Sequence, residues 1–247
     1  MKIFLDELKI NKMQDMTEEM KDMYMEFMLP EVETDNIKDT ALLQAVYKGN
    51  IEEIKKLIKE GANVNSQTIL GHTALMLSVE RGCVEIVKLL IDNGANVDLR
   101  STLEDNNKIY HHNGFTALMD AVYIGNVEIT KILIDAGSDV NIRDNWENTP
   151  LMRAVQGNNL EVINLLIRAG ADINAENEWG YTALINASFY GNLEIIDVLV
   201  KAGASIRNED DKTVINRVIY KVDSIEINKL KYKKYLKING GNYEINI

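Results

Sequence analysis

A single cysteine, Cys83, stands among 247 residues, so the chain forms no disulfide within itself, and this usage suits a reducing compartment. No apolar run approaches the ~20 residues that a membrane-spanning helix needs. Asp6 and Glu7 interrupt the opening stretch where a secretory leader carries an uncharged core. A soluble, cytoplasmic protein is expected. Positive charge is also in short supply: 27 Lys and Arg against 38 Asp and Glu leave a net charge of −11. That field repels phosphate backbones and anionic lipid, so nucleic acid and membrane surfaces are not expected partners. The one basic cluster, residues 229–237, reads as the solvated face of a last helix.

Chemistry is missing as well. There are three histidines, His72, His111 and His112, and no cluster of further ligands accompanies them, so no metal site and no cofactor are expected. No nucleophile–base pair, glycine-rich phosphate loop or zinc-binding helix motif is present, which points away from an enzyme.

What the chain does contain is repetition. A Thr recurs at Thr40, Thr73, Thr116, Thr149 and Thr182, with spacings of 33, 43, 33 and 33. Each is followed 12 residues later by a Glu (Glu52, Glu85, Glu128, Glu161, Glu194) and 21 residues later by a Gly (Gly61, Gly94, Gly137, Gly170, Gly203). Each copy reads as two short helices: Thr as N-cap, an apolar stripe, a Gly-Asn turn, a second stripe, and a Gly suited to a left-handed C-cap. Helices of ~8–10 residues are not stable alone. The copies must bury one another's faces, which predicts an all-α solenoid of helix pairs. The Glu that opens each second helix is accounted for by the helix dipole.

The period of 33, the opening "G-x-T-A-L-M", the turn "G-N-x-E-I" and the closing "L-L-I-x-x-G-A-N-V-D" together resemble the ankyrin repeat, over about residues 40–206. The resemblance implies L-shaped units, with a β-hairpin finger projecting from each junction, and a protein-binding role without catalysis. One departure is consistent. Where the family writes Thr-Pro-Leu-His, only Pro150 keeps the Pro, and the His position holds Leu43, Met76, Met119, Met152 and Ile185. Apolar packing between layers is expected in place of that His.

Five repeats are assigned to residues 39–207, with a lengthened finger at 99–113 that absorbs ten extra residues. Residues 208–247 restate the pattern around Thr213 and read as a degenerate capping repeat. At the other end, Met13, Met16, Met20, Met23 and Phe27 form an amphipathic stripe ending at Pro30. Residues 1–38 are read as a capping helix, with a helix lying in the solenoid's own groove as the alternative.

Information in a repeated scaffold lies where copies differ. The resemblance implies contact positions 5, 3 and 1 residues before each Thr and 7 and 8 after it. Of the ten aromatics in residues 35–221, nine fall there: Tyr47, Phe115, Tyr123, Trp146, Trp179, Tyr181, Phe189, Tyr190 and Tyr220. Aromatics are enriched at interfaces, so these, except Tyr220, are the candidate partner-binding residues. His111 on the lengthened finger and Arg153 join them, and Asp120 is a further contact candidate. Trp146 and Trp179 hold the same finger position in adjacent copies. The expected protein is a monomer when unbound that captures another protein along an aromatic concave groove, as inhibitor, scaffold or adaptor. An immunity-type inhibitor of a toxin or enzyme and a structural spacer in a larger assembly are the alternatives. An aromatic groove argues against the spacer.

Overall fold

The computed structural model describes residues 37–68, 71–101 and 114–205. The Met-rich N-terminal stripe, most of the lengthened finger with His111, and the C-terminal repeat around Thr213 lie outside the described residues. Within them are five helix pairs: α1 Ile37–Lys48 and α2 Ile51–Lys59, α3 Ala74–Glu80 and α4 Val84–Asp92, α5 Ala117–Ile124 and α6 Val127–Asp135, α7 Pro150–Gln156 and α8 Leu160–Arg168, α9 Ala183–Tyr190 and α10 Leu193–Lys201. First helices stack on first helices, and each also packs on its own second helix, so the core runs as one column through the stack.

The local chemistry follows the repeat. Thr73, Thr116, Thr149 and Thr182 cap the first helices, each Oγ1 accepting from the backbone N–H three residues on at 3.2 to 3.4 Å. The first copy differs: α1 begins at Ile37, so Thr40 lies inside the helix and its hydroxyl is buried rather than capping. Second helices are capped by Asn50, Asn126, Asn159 and Asn192, but Cys83 holds that register in the second copy and makes no side-chain cap. The five Gly that close the second helices have φ between 86° and 102°, a region that costs any other residue steric strain.

Apolar packing replaces the missing His as expected. Leu43, Met76, Met119 and Met152 are at most 1% exposed between layers. Each such burial contributes about 1.5–3 kcal/mol, and this interlayer packing is what makes seven- to nine-residue helices persist. A second tie runs along the turns between copies. Asn65, Asn141 and Asn174 each donate Nδ2 to the closing Gly carbonyl of the next copy (Gly94, Gly170, Gly203) and accept a backbone N–H from it. Asp98 takes the same register but is a pure acceptor, and its carboxylate takes the Asp139 N–H.

The expected β-hairpin fingers are not built as strand ladders among the described residues, where the only bridge is Gln67 with Thr73. A side chain closes each finger instead. Thr68 Oγ1 accepts from His72 N–H, Ser101 Oγ from Phe115, Asp144 Oδ1 from Asn148, and Asn177 Oδ1 from Tyr181, at 2.9 to 3.1 Å. Each closing pair also shares a backbone bond in the opposite sense. Three of these necks span four positions and that of Ser101 spans fourteen. The neck is too short for a ladder, and a Thr, Ser or Asx side chain does a strand's work there.

Candidate recognition surface

The fingers stand side by side, tied to one another rather than splayed. Gln67 Nε2 donates to the Arg100 carbonyl at 2.9 Å, Arg100 Nη2 to Asn145 Oδ1 at 2.6 Å, and Arg143 Nη1 to the Glu176 carbonyl at 2.8 Å. The Glu178 N–H donates to the Trp146 carbonyl at 3.1 Å, and Asn177 Nδ2 donates to Asn148 Oδ1 at 2.9 Å. Stacking therefore brings the fingers of Trp146 and Trp179 together, as their equal register predicts. Trp146 is half-buried; Trp179 is 56% exposed. Tyr181, on the finger of Trp179, is 40% exposed, Phe189 and Tyr190 at the end of α9 are 44% and 56% exposed, and the Tyr181 and Phe189 rings meet at 5.5 Å between centroids. Tyr123 on α5 is half-buried. These residues gather toward the C-terminal half of the described stack.

Four expected contact residues lie in the interior instead. Tyr47 is 3% exposed, with the Arg81 guanidinium 5.0 Å from its ring centre. Phe115 is 1% exposed, with Arg153 4.6 Å from its centre. Arg153 itself is 6% exposed and forms an ion pair with Asp144, while Asp120, the fourth contact candidate, is 2% exposed. The physical reason is shared. Position 7 of the first copy and position −1 of the third face the neighbouring repeat, and an Arg from that repeat covers the ring by cation–π contact. Position −5, also expected at the surface, supplies the buried neck residues Thr68, Asp144 and Asn177. Part of the aromatic enrichment is thus scaffold. The signal was available: an Arg falls on the inter-repeat face of the copy that follows each buried ring.

The Asp144 site is the most elaborate polar cluster described. One carboxylate oxygen accepts the backbone N–H of Trp146 at 2.8 Å and of Asn148 at 2.9 Å. The other takes Arg153 Nε at 2.8 Å together with Nη2. The remaining guanidinium nitrogen donates to Gln156 Oε1 at 2.8 Å, and the guanidinium lies 5.4 Å from the Trp146 ring centre.

A second buried group surrounds His72. It is 7% exposed. Burial opposes its charged form, but the Glu80 carboxylate 3.3 Å from Nδ1, with Asp120 beyond, outweighs that, and the net shift is upward from 6.5. Among the described residues no three His, Cys, Asp or Glu are gathered to hold a metal ion, and no helix is long and apolar enough to cross a membrane.

A family profile described as "Ankyrin repeats (3 copies)" matches residues 18–101, 99–177, 118–210 and 151–230. Comparison with curated proteins gives no match.

Proposed function

The chain belongs to the ankyrin-repeat family, whose repeats are generally protein–protein interaction modules, and from that premise we propose that it captures a partner protein, or an extended segment of one, along its concave face. The observation that carries this is the Trp146–Trp179 pair. Two indoles stand on fingers joined by a direct backbone hydrogen bond, next to the exposed rings of Tyr181, Phe189 and Tyr190. Large exposed aromatics in one neighbourhood are costly in water and serve as anchors in desolvated partner pockets. Inhibition, scaffolding or adaptor action then follows from the complex itself. Truncating both Trp removes two anchors worth about 1–4 kcal/mol each, so affinity falls at least ~100-fold. The test is a Trp146→Ala/Trp179→Ala variant, with the partner recovered from the native organism and affinity measured alongside thermal melting. Wild-type affinity in that variant, or a large loss of melting temperature with unchanged affinity, overturns the reading.

A further inference from the structure

Trp146 and Trp179 occupy the same finger position, three residues before Thr149 and Thr182, yet their surroundings differ, and two of the differences set the side-chain arrangement. Below Trp146 the neck residue is Asp144, and the residue four after the Thr is Arg153. Below Trp179 the same places hold Asn177 and Asn186. The backbone arrangement is the same in both: the neck side chain accepts the Trp N–H, at 2.8 Å from Trp146 and 3.1 Å from Trp179. The side-chain arrangement is not. The second carboxylate oxygen of Asp144 also holds a guanidinium, and Arg153 so held lies 5.4 Å from the ring centre of Trp146 and 4.6 Å from that of Phe115. Each of the three guanidinium nitrogens donates, two to Asp144 and one to Gln156, which fixes the plane. Trp146 is correspondingly half-buried and Trp179 is 56% exposed.

We infer that the Asp144–Arg153 pair is a clamp that presets the Trp146 indole for partner contact, making Trp146 the rigid anchor and Trp179 the adaptable member of the pair. Arg153 is a positioning residue: it has 6% of its surface in solvent and acts through the ring it holds. An anchor ordered before binding spares the complex the side-chain entropy of fixing it then. An indole free to change rotamer follows the contour of whatever is bound. Phe115 adds a link to the neighbouring finger, because its N–H closes the neck at Ser101. This assignment rests on the Trp pair being the contact surface, but its test does not require the partner.

Each indole is observed alone in full-length protein, Trp146 in a Trp179→Phe background and Trp179 in a Trp146→Phe background, by acrylamide quenching and time-resolved anisotropy. Trp146 is expected to be quenched less and to show less fast local motion than Trp179. Arg153→Lys keeps the charge and loses the planar guanidinium fork, and it should bring Trp146 toward the behaviour of Trp179 while far-UV circular dichroism stays native. The reciprocal variant, Asn177→Asp with Asn186→Arg, should bring Trp179 toward the behaviour of Trp146. Equal mobility of the two indoles in the parent backgrounds overturns the clamp, as does an Arg153→Lys variant, still helical, whose Trp146 is unchanged. Should Arg153→Lys unfold, the reciprocal variant decides: an unchanged Trp179 overturns the inference. Failure of the partner reading registers elsewhere, as unchanged partner affinity when both Trp are truncated.

Discussion

The Ser101 hydroxyl accepts the Phe115 N–H at 3.0 Å across fourteen positions of sequence, in the same place where Thr68, Asp144 and Asn177 close their fingers across four. The neck of the lengthened finger is therefore shut as in the other copies, and the stack beneath it is built alike.

Shortening that finger by ten residues, to leave three between Ser101 and Phe115, should therefore preserve the fold. The shorter closure is favoured by about 1 kcal/mol, from ~0.6 kcal/mol per doubling of loop length. Melting temperature is expected to hold or rise slightly in differential scanning calorimetry. Aggregation or loss of helical circular dichroism would show that residues 102–113 are structural.

Cys83 sits where the other copies place a capping Asn, and α4 has no side-chain cap. Cys83→Asn should supply the acceptor for the first-turn N–H groups and stabilise by about 1 kcal/mol. For a chain of this size that raises the melting temperature by about 2–4 °C. A lower melting temperature would mean that the half-buried thiol packs better than an amide hydrogen-bonds.

Asp144 is 0% exposed at its side chain and compensates a guanidinium that is 8% exposed. Asp144→Ala leaves that cation buried and the finger neck open, so urea unfolding should show a loss of about 3–5 kcal/mol. Asp144→Ala combined with Arg153→Met is expected to cost less than the two single changes added together. Additive losses would say that the two side chains do not work as a pair.

His72 has its folded pKa raised above 6.5 by Glu80 and Asp120, despite burial. A raised value means that the folded state holds the proton more tightly than the unfolded chain does. The stabilisation is thus fully present below about 6.5, the unfolded value, and is lost as pH rises through the folded pKa above it. His72→Gln, neutral at every pH, should flatten this decline in unfolding free energy, while Glu80→Gln should weaken it. A wild-type profile that is level from pH 6 to 8.5, or that rises with pH, contradicts the assignment.

Much of the architecture was legible in the residues alone, because it depends on local patterns repeated in register. The Thr caps, the Gly that end second helices at positive φ, and the Leu and Met columns each need only a residue type at a fixed distance from its neighbours. Nearest-neighbour stacking then leaves one arrangement in which short helices bury their apolar faces. The shared finger position of Trp146 and Trp179 was legible for the same reason. Thr40 escaped because a cap needs a chain entering from outside the helix, and α1 begins three residues ahead of it.

Which side of the surface each aromatic faces was decided by the tertiary structure. Tyr47 stands seven residues after its Thr, and Phe115 and Tyr181 each stand one before theirs, but burial depends on what the next copy presents to them. Arg81 and Arg153 cover the first two, while Tyr181 remains 40% exposed. The partners of Asp144 likewise come from the finger and from the following helix, nine positions away in the case of Arg153, and only folding brings them within reach. Periodicity locates a residue within its repeat. The differing side chains of adjoining repeats determine whether it becomes interior or surface, since desolvation and pairing are properties of the contact and not of the position.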